Sequence, residues 1–243
     1  MLIQRIEEAA LNAWPARQQL FLDGWILRFS EGYTKRANSI TPLYPAALDM
    51  EQKIRLCEQL YPAQGLPPIF RVTSLADSTQ LDQRLGRRGY TILDRTWVLG
   101  LDLADWHAVT SQAMKEVSLE DWLGSFHNLH GGEAENLPGH RAILQRILFP
   151  HLRAVAFLDG EPVCCGLGVL DGECFGIFDL ITSPNQRGKG FATRLMQDML
   201  NWGVHSGARY AYLQVVENNI PARRLYQRLG FQEVYPYWYR LPG

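Results

Sequence analysis

The 243-residue sequence contains no apolar run that approaches the roughly 18 residues of a membrane-spanning helix. Near the N-terminus, Arg5, Glu7 and Glu8 interrupt the stretch in which a secretory signal needs continuous apolar residues. These absences predict a soluble, cytoplasmic protein that does not interact with membranes.

The sequence also lacks an excess of charge of either sign. It has 24 Lys and Arg residues against 25 Asp and Glu residues, a formal net charge of −1. Proteins that bind nucleic acid usually carry a surplus of basic residues, so a nucleic-acid partner is not expected. The 47% of hydrophobic residues can bury a full core. A small-molecule or local polar site is therefore favoured.

Cysteine is scarce, and no C-x-x-C pair occurs among Cys57, Cys164, Cys165 and Cys174. Cys164 and Cys165 are adjacent, so in a strand their side chains point to opposite faces. We predict buried free thiols in a reducing compartment rather than a zinc site or disulfides.

One order of predicted elements occurs twice along the chain. Each half has a hairpin with an Asp-Gly turn, a strand that ends near a proline, a helix, a strand, a second helix and a glycine-aromatic pair. The repeated landmarks are Asp23-Gly24 and Asp159-Gly160, Pro42 and Pro184, and Gly89-Tyr90 and Gly230-Phe231. We predict two related lobes, residues 1–105 and residues 106–243. In the first lobe the third strand is predicted at residues 36–41 and the following helix at residues 47–60.

A glycine-rich turn in the second half joins a buried strand to an amphipathic helix. The strand ends at Thr182, and Gly188 and Gly190 lie in the turn with Arg187 and Lys189. Such a turn directs backbone N–H groups and a helix N-terminus at one point, which suits a phosphate. It is neither G-x-G-x-x-G nor a P-loop. A ligand-free turn is the alternative.

A second polar turn follows the next predicted strand, residues 210–216. Asn219 precedes a predicted helix in which Pro221 suits the first turn, and Gly230 suits its end. Tyr226 lies on the apolar face of this helix. Packing is the ordinary role of such a tyrosine, and proton donation at the edge of the sheet is the alternative.

Together these stretches resemble the GNAT superfamily of acyl-CoA-dependent N-acetyltransferases. Its pyrophosphate loop reads Q/R-x-x-G-x-G/A, and its second motif N-x-x-A-x-x-L-Y-x-x-x-G-F matches residues 219–231. Asn185 stands where the loop motif has Gln or Arg, so the side-chain match is displaced there. The resemblance covers roughly residues 117–240.

The resemblance implies an α/β fold of tandem GNAT-like lobes, with helices flanking a mixed, mostly antiparallel sheet that contains a splayed pair of parallel strands. It also implies acetyl-CoA as the acyl donor, and no metal. The pantetheine arm would lie along Leu180, Ile181 and Thr182. The pyrophosphate would contact Arg187, Gly188, Lys189, Gly190, Phe191 and Ala192, and the thioester end would face Asn219 and Tyr226.

The first half lacks the corresponding chemistry. No glycine occurs from Tyr33 to Gln64, and Pro42 has no backbone N–H to donate. Asp82 and Leu85, the candidates for the tyrosine position, cannot replace a phenol. We predict a degenerate lobe that binds no CoA and that contributes a wall to the acceptor cleft through residues 25–36.

Two carboxylates are candidates for the base that deprotonates the attacking amine. Asp179 lies inside an otherwise apolar strand, where a carboxylate needs a partner or a function. Its alternative role is that of a cross-strand partner for an arginine. Glu173 lies at the start of the same strand, where several GNAT enzymes have their base. A bulge near Gly176 would decide which carboxylate faces the acceptor.

Histidines and aromatic residues offer weaker candidates. His127 and His130, with Glu133 and Glu135, could hold a metal, but their spacing fixes no coordination geometry, so a solvated loop with substrate contacts is favoured. Trp238 is expected to pack in the sheet, with an acceptor-pocket wall as its alternative.

The sequence therefore predicts transfer of an acetyl group from acetyl-CoA to a primary amine by direct attack, with Tyr226 protonating the departing thiolate. The acceptor is a small molecule or a peptide, and the oligomeric state is left open. A noncatalytic module that binds CoA or a partner is the main alternative. An aminoacyl transferase that uses charged transfer RNA is a third, which the charge balance disfavours.

Overall fold

The computed structural model describes residues 2–75, 78–109, 113–131 and 137–243. In chain order the helices and strands are α1 (Leu2–Ala13), β1 (Gln18–Leu22), β2 (Trp25–Phe29), β3 (Ile40–Pro42), α2 (Met50–Ala63), β4 (Phe70–Val72), α3 (Ser78–Arg87), β5 (Thr91–Asp102), β6 (Met114–Glu116), α4 (Leu119–His130), α5 (Leu137–Leu144), β7 (His151–Leu158), β8 (Glu161–Asp171), β9 (Cys174–Thr182), α6 (Phe191–His205), β10 (Tyr210–Val216), α7 (Ile220–Arg228) and β11 (Gln232–Leu241). Short 3-10 helices occupy Lys35–Ala37 and Pro184–Gln186. No helix within these ranges is long and apolar enough to cross a membrane.

The eleven strands in the described part of the chain form one sheet, in the order β1-β2-β3-β4-β11-β5-β10-β9-β8-β7-β6. Two neighbouring pairs, β3 with β4 and β9 with β10, are parallel, and the other pairs are antiparallel. Each parallel pair is joined through a helix, α2 in the first half and α6 in the second. The predicted mixed fold and the repeated order of elements are therefore confirmed.

The halves meet through their last strands. β5, which ends the first half, pairs with β10 over residues 96–102 and with β11 on its other side. β11, which ends the second half, also pairs with β4 of the first half. One sheet thus crosses the predicted boundary near residue 105, and that boundary stays a prediction.

Helices cover both faces of the sheet. α1, α4 and α5 bury their apolar residues on one face with Phe178 and Tyr212, whereas α6 and α7 cover the opposite face in the second half, and α2 and α3 do so in the first half. Cys165 lies in the core of the first face and Cys164 in that of the second. All four cysteines are buried free thiols, as predicted.

A buried ion pair connects three elements on the α1 face. Glu7 of α1 and Arg71 of β4 are 0% and 3% exposed, and Arg71 Nη2 donates to Glu7 Oε1 over 3.0 Å. The hydroxyl of Tyr235, on β11, donates to the same carboxylate. The pair therefore joins the N-terminal helix to strands from both halves.

Two first-half elements differ from the prediction. Residues 36–41 do not form one strand, because Lys35–Ala37 is a 3-10 helix and the strand covers Ile40–Pro42. The Asn38 side chain explains the difference, since its amide bonds the backbone of Ser30, Gly32 and Tyr33 and holds the preceding loop in place of strand pairing. The next helix begins at Met50 rather than at residue 47, because the Asp49 side chain caps it by accepting from Gln52 N.

We expect Glu7→Ala to lower the free energy of unfolding by about 3–5 kcal/mol, because the buried Arg71 charge loses its partner. Replacing both residues, as Glu7→Ala with Arg71→Met, should recover much of that loss. Urea denaturation measures both effects. Glu233→Ala, which breaks the exposed pair with Arg223, is the control and should cost no more than about 1 kcal/mol. A loss that small for Glu7→Ala would show that the pair is not needed.

Candidate active site

A groove opens where β9 and β10 separate. The two strands pair only over residues 174–177 and 210–213. Beyond that point β9 continues along β8 as far as Thr182, while β10 continues along β5 as far as Val216. Residues 174–178 of β9 are buried, and residues 179–182 are half-buried. The far part of β9 therefore presents a backbone edge without a strand partner, as a splayed pair requires.

A β-bulge turns Asp179 toward one side of this groove. Cys165 pairs with Ile181 and Leu167 with Phe178, so the single residue Gly166 faces both Asp179 and Leu180. Asp179 has φ 51°, a left-handed conformation that is uncommon for a residue with a side chain. Strict alternation would put Asp179 on the face opposite Phe178. The bulge instead places its carboxylate on the α1, α4 and α5 face.

The bulge is not where the sequence suggested. Gly176 pairs regularly with Val169, and the irregularity lies three residues farther along β9. Gly166 provides the reason, because a Cβ there would approach Met199 Sδ to 3.0 Å and Leu180 Cδ1 to 3.4 Å. The missing side chain leaves room for the crowded pair of residues on β9.

Asp179 bonds a histidine that sequence reasoning missed. Nε2 of His140, on α5, lies 3.0 Å from Asp179 Oδ2, and the His140 side chain is 1% exposed against 18% for Asp179. Aromatic rings enclose His140 at centroid distances of 4.8–5.8 Å, those of Trp14, Tyr33, Trp122, Phe126 and His127. The histidine therefore fixes the orientation of Asp179, whose carboxylate stays partly exposed. No motif marks His140, because its partner lies 39 residues farther along the chain.

The first half contributes Tyr33 to the same place. The Tyr33 ring stacks on His140 at 5.8 Å, and a Cβ on Gly139 would lie 2.6 Å from Tyr33 Cβ. Gly139 is thus required for this approach between the halves. Burial and the nearby Asp179 carboxylate raise the pKa of Tyr33, and Arg36 acts in the opposite direction.

The predicted anion-binding turn has the expected geometry. Gly188 and Gly190 have φ 76° and 82°, and α6 begins immediately after Gly190. Within the described residues, the amides of residues 188–193 donate to no backbone acceptor. These N–H groups and the helix dipole form a cradle for an anion.

Exposed cations surround that cradle. Arg187 Nε lies 3.4 Å from Thr182 O, and Lys189 Nζ donates to Gln186 Oε1 over 2.9 Å. Arg194, which the sequence analysis did not single out, lies over the Phe191 ring at 4.9 Å and also reaches Lys189 O. The sequence did offer a signal for Arg194, because it lies four residues after Gly190, in the first turn of the predicted helix. Phe191 and Ala192 are half-buried at the start of α6.

Tyr226 and Asn219 lie at the other side of the groove. Asn219 is exposed and caps α7, its Oδ1 accepting from Ala222 N over 3.3 Å. The Tyr226 ring is buried against Phe231, and burial, with a smaller contribution from Cys164, raises the pKa of the phenol. Cys164 Sγ is in turn 3.2 Å from Thr182 Oγ1, so Tyr226 lies near the end of β9. A phenol with a raised pKa keeps its proton at neutral pH.

Glu173 lies apart from these groups. It is 67% exposed and its carboxylate pairs with Arg209 Nε at 2.9 Å. Six residues of extended chain separate it from Asp179, a distance of roughly 20 Å. The structure therefore brings Asp179, but not Glu173, to the splayed strand ends.

The matching place in the first half is closed by its own side chains. Asp23 accepts from the amides of Ala47 and Leu48 at 3.0 and 2.7 Å, and these hydrogen bonds lower its pKa. Lys53 Nζ lies 3.4 Å from the same carboxylate. The adjoining cavity, lined by Trp25, Pro42 and Leu81 among others, has a volume of about 40 Å³, room for roughly one water molecule.

The remaining candidates have other surroundings. Trp238 Nε1 donates to Asp82 over 2.7 Å, and its ring packs on the face opposite Asp179. His127 lies beside His140, and burial and the neighbouring histidines lower its pKa. His130 stacks on Phe126 at 5.4 Å. Glu133 and Glu135 lie outside the described residues.

Known proteins resemble the chain over nearly its whole length. The family model described as "Probable histone acetyltransferase Rv0428c C-terminal" matches residues 2–240. "Uncharacterized N-acetyltransferase YobR" of Bacillus subtilis (strain 168) is 27% identical over 249 residues, covering 98% of each chain. "Probable histone acetyltransferase Rv0428c" of Mycobacterium tuberculosis (strain ATCC 25618 / H37Rv) is 27% identical over 95% of this chain and 70% of its own.

A solved structure agrees on the fold. A GCN5-related N-acetyltransferase from Kribbella flavida superposes with TM-score 0.75 at 15% identity, covering 98% of this chain and 95% of that one. The splayed strands, the glycine turn and the family match agree with the resemblance found in the sequence. The chain therefore belongs to the Probable histone acetyltransferase Rv0428c C-terminal family, within the GNAT superfamily of acyltransferases.

Proposed function

We propose that this protein transfers the acetyl group of acetyl-CoA to a primary amine by direct attack, with Asp179 as base and Tyr226 as acid. The observation that carries this proposal is the bulge at Asp179, which puts a partly exposed carboxylate just beyond the point where β9 and β10 separate. The names of the relatives support acetyl transfer, and peptide amines are among the acceptors to be tested.

The donor end of the groove suits CoA. The unpartnered amides of residues 188–193, with Arg187 and Lys189, would bind the pyrophosphate. The free edge of β9 at Leu180, Ile181 and Thr182 would bond the amide groups of pantetheine as an added strand does. The thioester would then lie between Asp179 and Tyr226, with Asn219 shaping the turn at the start of α7.

The reaction needs two proton movements. The amine nitrogen attacks the thioester carbonyl carbon, its excess proton passes to Asp179, and a C–N bond forms as the C–S bond breaks. The departing thiolate takes the phenolic proton of Tyr226. The products are the N-acetyl amine and the free thiol of CoA, with no covalent enzyme intermediate. Proton exchange with water then returns Asp179 to a carboxylate and Tyr226 to a phenol, which closes the proton balance. His140 holds the Asp179 carboxylate in place throughout.

We expect each chain to bind one acetyl-CoA, at the turn before α6, because Asp23 and its neighbours close the matching position in the first half. Gly190→Trp should abolish that binding, since its side chain would enter the cradle. Titration calorimetry measures stoichiometry and affinity.

Gly160→Trp is the matched control. Gly160 has φ 86° and lies in the hairpin between β7 and β8, so the substitution costs similar backbone strain but leaves the cradle open. Two sites per chain, or unchanged affinity in a folded Gly190→Trp protein, would contradict the proposed donor site.

We expect Tyr226→Phe to lower kcat by about 10²- to 10⁴-fold with little change in acetyl-CoA affinity, because proton donation matters as the thiolate develops. Release of free thiol is followed with a panel of amines, including polyamines, amino acids and lysine peptides. Tyr90→Phe, a buried tyrosine of the first half, should leave kcat unchanged. Equal losses in affinity and kcat would assign Tyr226 to packing. Acetyl-CoA binding without turnover of any amine would favour a noncatalytic module.

We expect Asp179→Asn to remove the acidic limb of the pH profile of kcat/KM and to lower the maximum. A general base must be unprotonated to accept the proton of the amine, and an asparagine amide cannot accept it at any working pH. Glu173→Gln is the control and should leave the profile unchanged. An unaltered profile for Asp179→Asn would move the role of base to water or to another group.

A further inference from the structure

We infer that the acceptor is a small aminocarboxylate, whose carboxylate is bound by Arg36 of the first half while its amine faces Asp179. This inference rests on the proposed acetyl transfer and names its substrate class. It begins from an arginine that the fold leaves without an acceptor.

Arg36 is half-buried between aromatic rings. Its Cζ lies 5.2 Å from the ring centroid of Trp14 and 5.6 Å from that of Phe178. Its Nε is buried without a hydrogen-bond partner. Within the residues that the structure describes, the Arg36 side chain forms no ion pair and donates no hydrogen bond. A partly desolvated guanidinium in this state is unfavourable unless a ligand or water completes it.

The buried arginines Arg28 and Arg71 also have Nε atoms without a hydrogen-bond partner, but their terminal nitrogens are bonded. Arg71 is paired with Glu7, and Arg28 donates to Leu11 O and Arg36 O at 3.1 and 2.9 Å. The fold thus supplies acceptors to the terminal nitrogens of both. Arg36 differs because its guanidinium lies beside the candidate active site and has none.

Arg36 and Asp179 have neighbours in common but do not pair with each other. Phe178, beneath Arg36, directly precedes Asp179, and Trp14 contacts both Arg36 and the His140 that holds Asp179. The phenol of Tyr33 lies within the electrostatic influence of both charges. A zwitterion complements this unpaired arrangement, because its carboxylate can bind the Arg36 guanidinium while its ammonium binds the Asp179 carboxylate.

The backbone that carries Tyr33 and Arg36 is held in an unusual conformation. Glu31, Gly32 and Thr34 have φ of 52°, 81° and 58°. The Asn38 side chain fixes this loop through backbone bonds, and Trp14 Nε1 donates to Thr34 Oγ1 over 3.2 Å. Backbone strain that the surroundings maintain is concentrated at binding sites, where it orients side chains in advance. The loop at residues 30–38 therefore has the form of a substrate-binding element.

Carboxylate is the group that this arginine fits best. A guanidinium offers parallel N–H donors that match the two oxygens of a carboxylate, and stacking on rings restricts its motion. Asp179 Oδ2 is engaged by His140, so Oδ1 remains to receive the ammonium. A lysine side chain within a peptide carries no carboxylate close to its amine, so it meets only half of this pair.

The test compares matched acceptors on the native protein. Linear ω-amino acids from glycine to 6-aminohexanoate are each paired with the alkylamine of equal carbon number, and thiol release from acetyl-CoA is measured. We expect kcat/KM for the best amino acid to exceed that of its alkylamine by about 10- to 100-fold. Lysine peptides are included as amines without a nearby carboxylate.

Variants then test whether Arg36 causes the preference for amino acids over alkylamines. Arg36→Gln should lower kcat/KM for the amino acid to about that of its alkylamine without changing acetyl-CoA affinity, and Arg36→Lys should retain part of the difference. Arg87→Gln, on exposed α3, is the matched loss of charge and should change nothing.

The outcomes separate the two proposals. Alkylamines or lysine peptides used as well as amino acids would overturn the aminocarboxylate inference and leave acetyl transfer standing. An Arg36→Gln protein that loses activity equally toward all amines would show that Arg36 is structural, which also overturns it. Acetyl-CoA binding with no amine turned over would overturn the proposed function itself. If Arg36→Gln does not fold, the comparison of amino acids with alkylamines on the native protein still tests the aminocarboxylate inference.

Discussion

Backbone pairing of β5 with β10 and β11 is the constraint on which the rest of this structure depends. Because β5 ends the first half and both of its neighbours belong to the second, neither half completes its sheet alone. The shared sheet sets the halves side by side rather than face to face. That arrangement brings the loop at residues 30–38 against α5, where Tyr33 packs on Gly139 and His140. The proposed acceptor site, which residues of both halves would line, depends on this shared sheet.

A single extra residue in β9 decides which face of the sheet carries the Asp179 side chain. Regular alternation would turn the Asp179 side chain toward α6 and the glycine turn that precedes it. The bulge opposite Gly166 turns it to the other face, where His140 receives it. The bulge lies just beyond the last residue that pairs with β10, so one local irregularity coincides with the opening of the groove. The strained φ of Asp179 is maintained because β8 and α5 hold both of its sides.

Sequence rules for turns and helix ends correctly predicted features that depend only on neighbouring residues. Asp23-Gly24 forms a hairpin turn with both φ values positive, Gly190 begins α6 in a left-handed conformation, and Asn219 caps α7. The residues that sequence reasoning missed depend on distant partners. His140 becomes significant only through Asp179. Arg36 was predicted at the start of a strand that ends before Pro42, whereas Asn38 rearranges that segment through side-chain bonds to the backbone. The close approach of Met199 to Gly166 likewise joins two residues far apart in the chain, and no pattern in β9 encodes it.

In the first half a carboxylate of the chain itself occupies the place that corresponds to the glycine turn before α6. A strand, a turn and a helix N-terminus still follow one another there, and the exposed amides of such a turn need acceptors whether or not a ligand binds. Asp23 supplies them, placing a carboxylate on the amides of Ala47 and Leu48, while Lys53 balances its charge. Once an internal anion satisfies the turn, a phosphate would have to displace a carboxylate held in place by the chain itself. Under the proposed function, the first half would not bind the donor, and its loops would instead contact the acceptor. The closed turn at Asp23 and the unusual loop at residues 30–38 would then both follow from one division of roles between the halves.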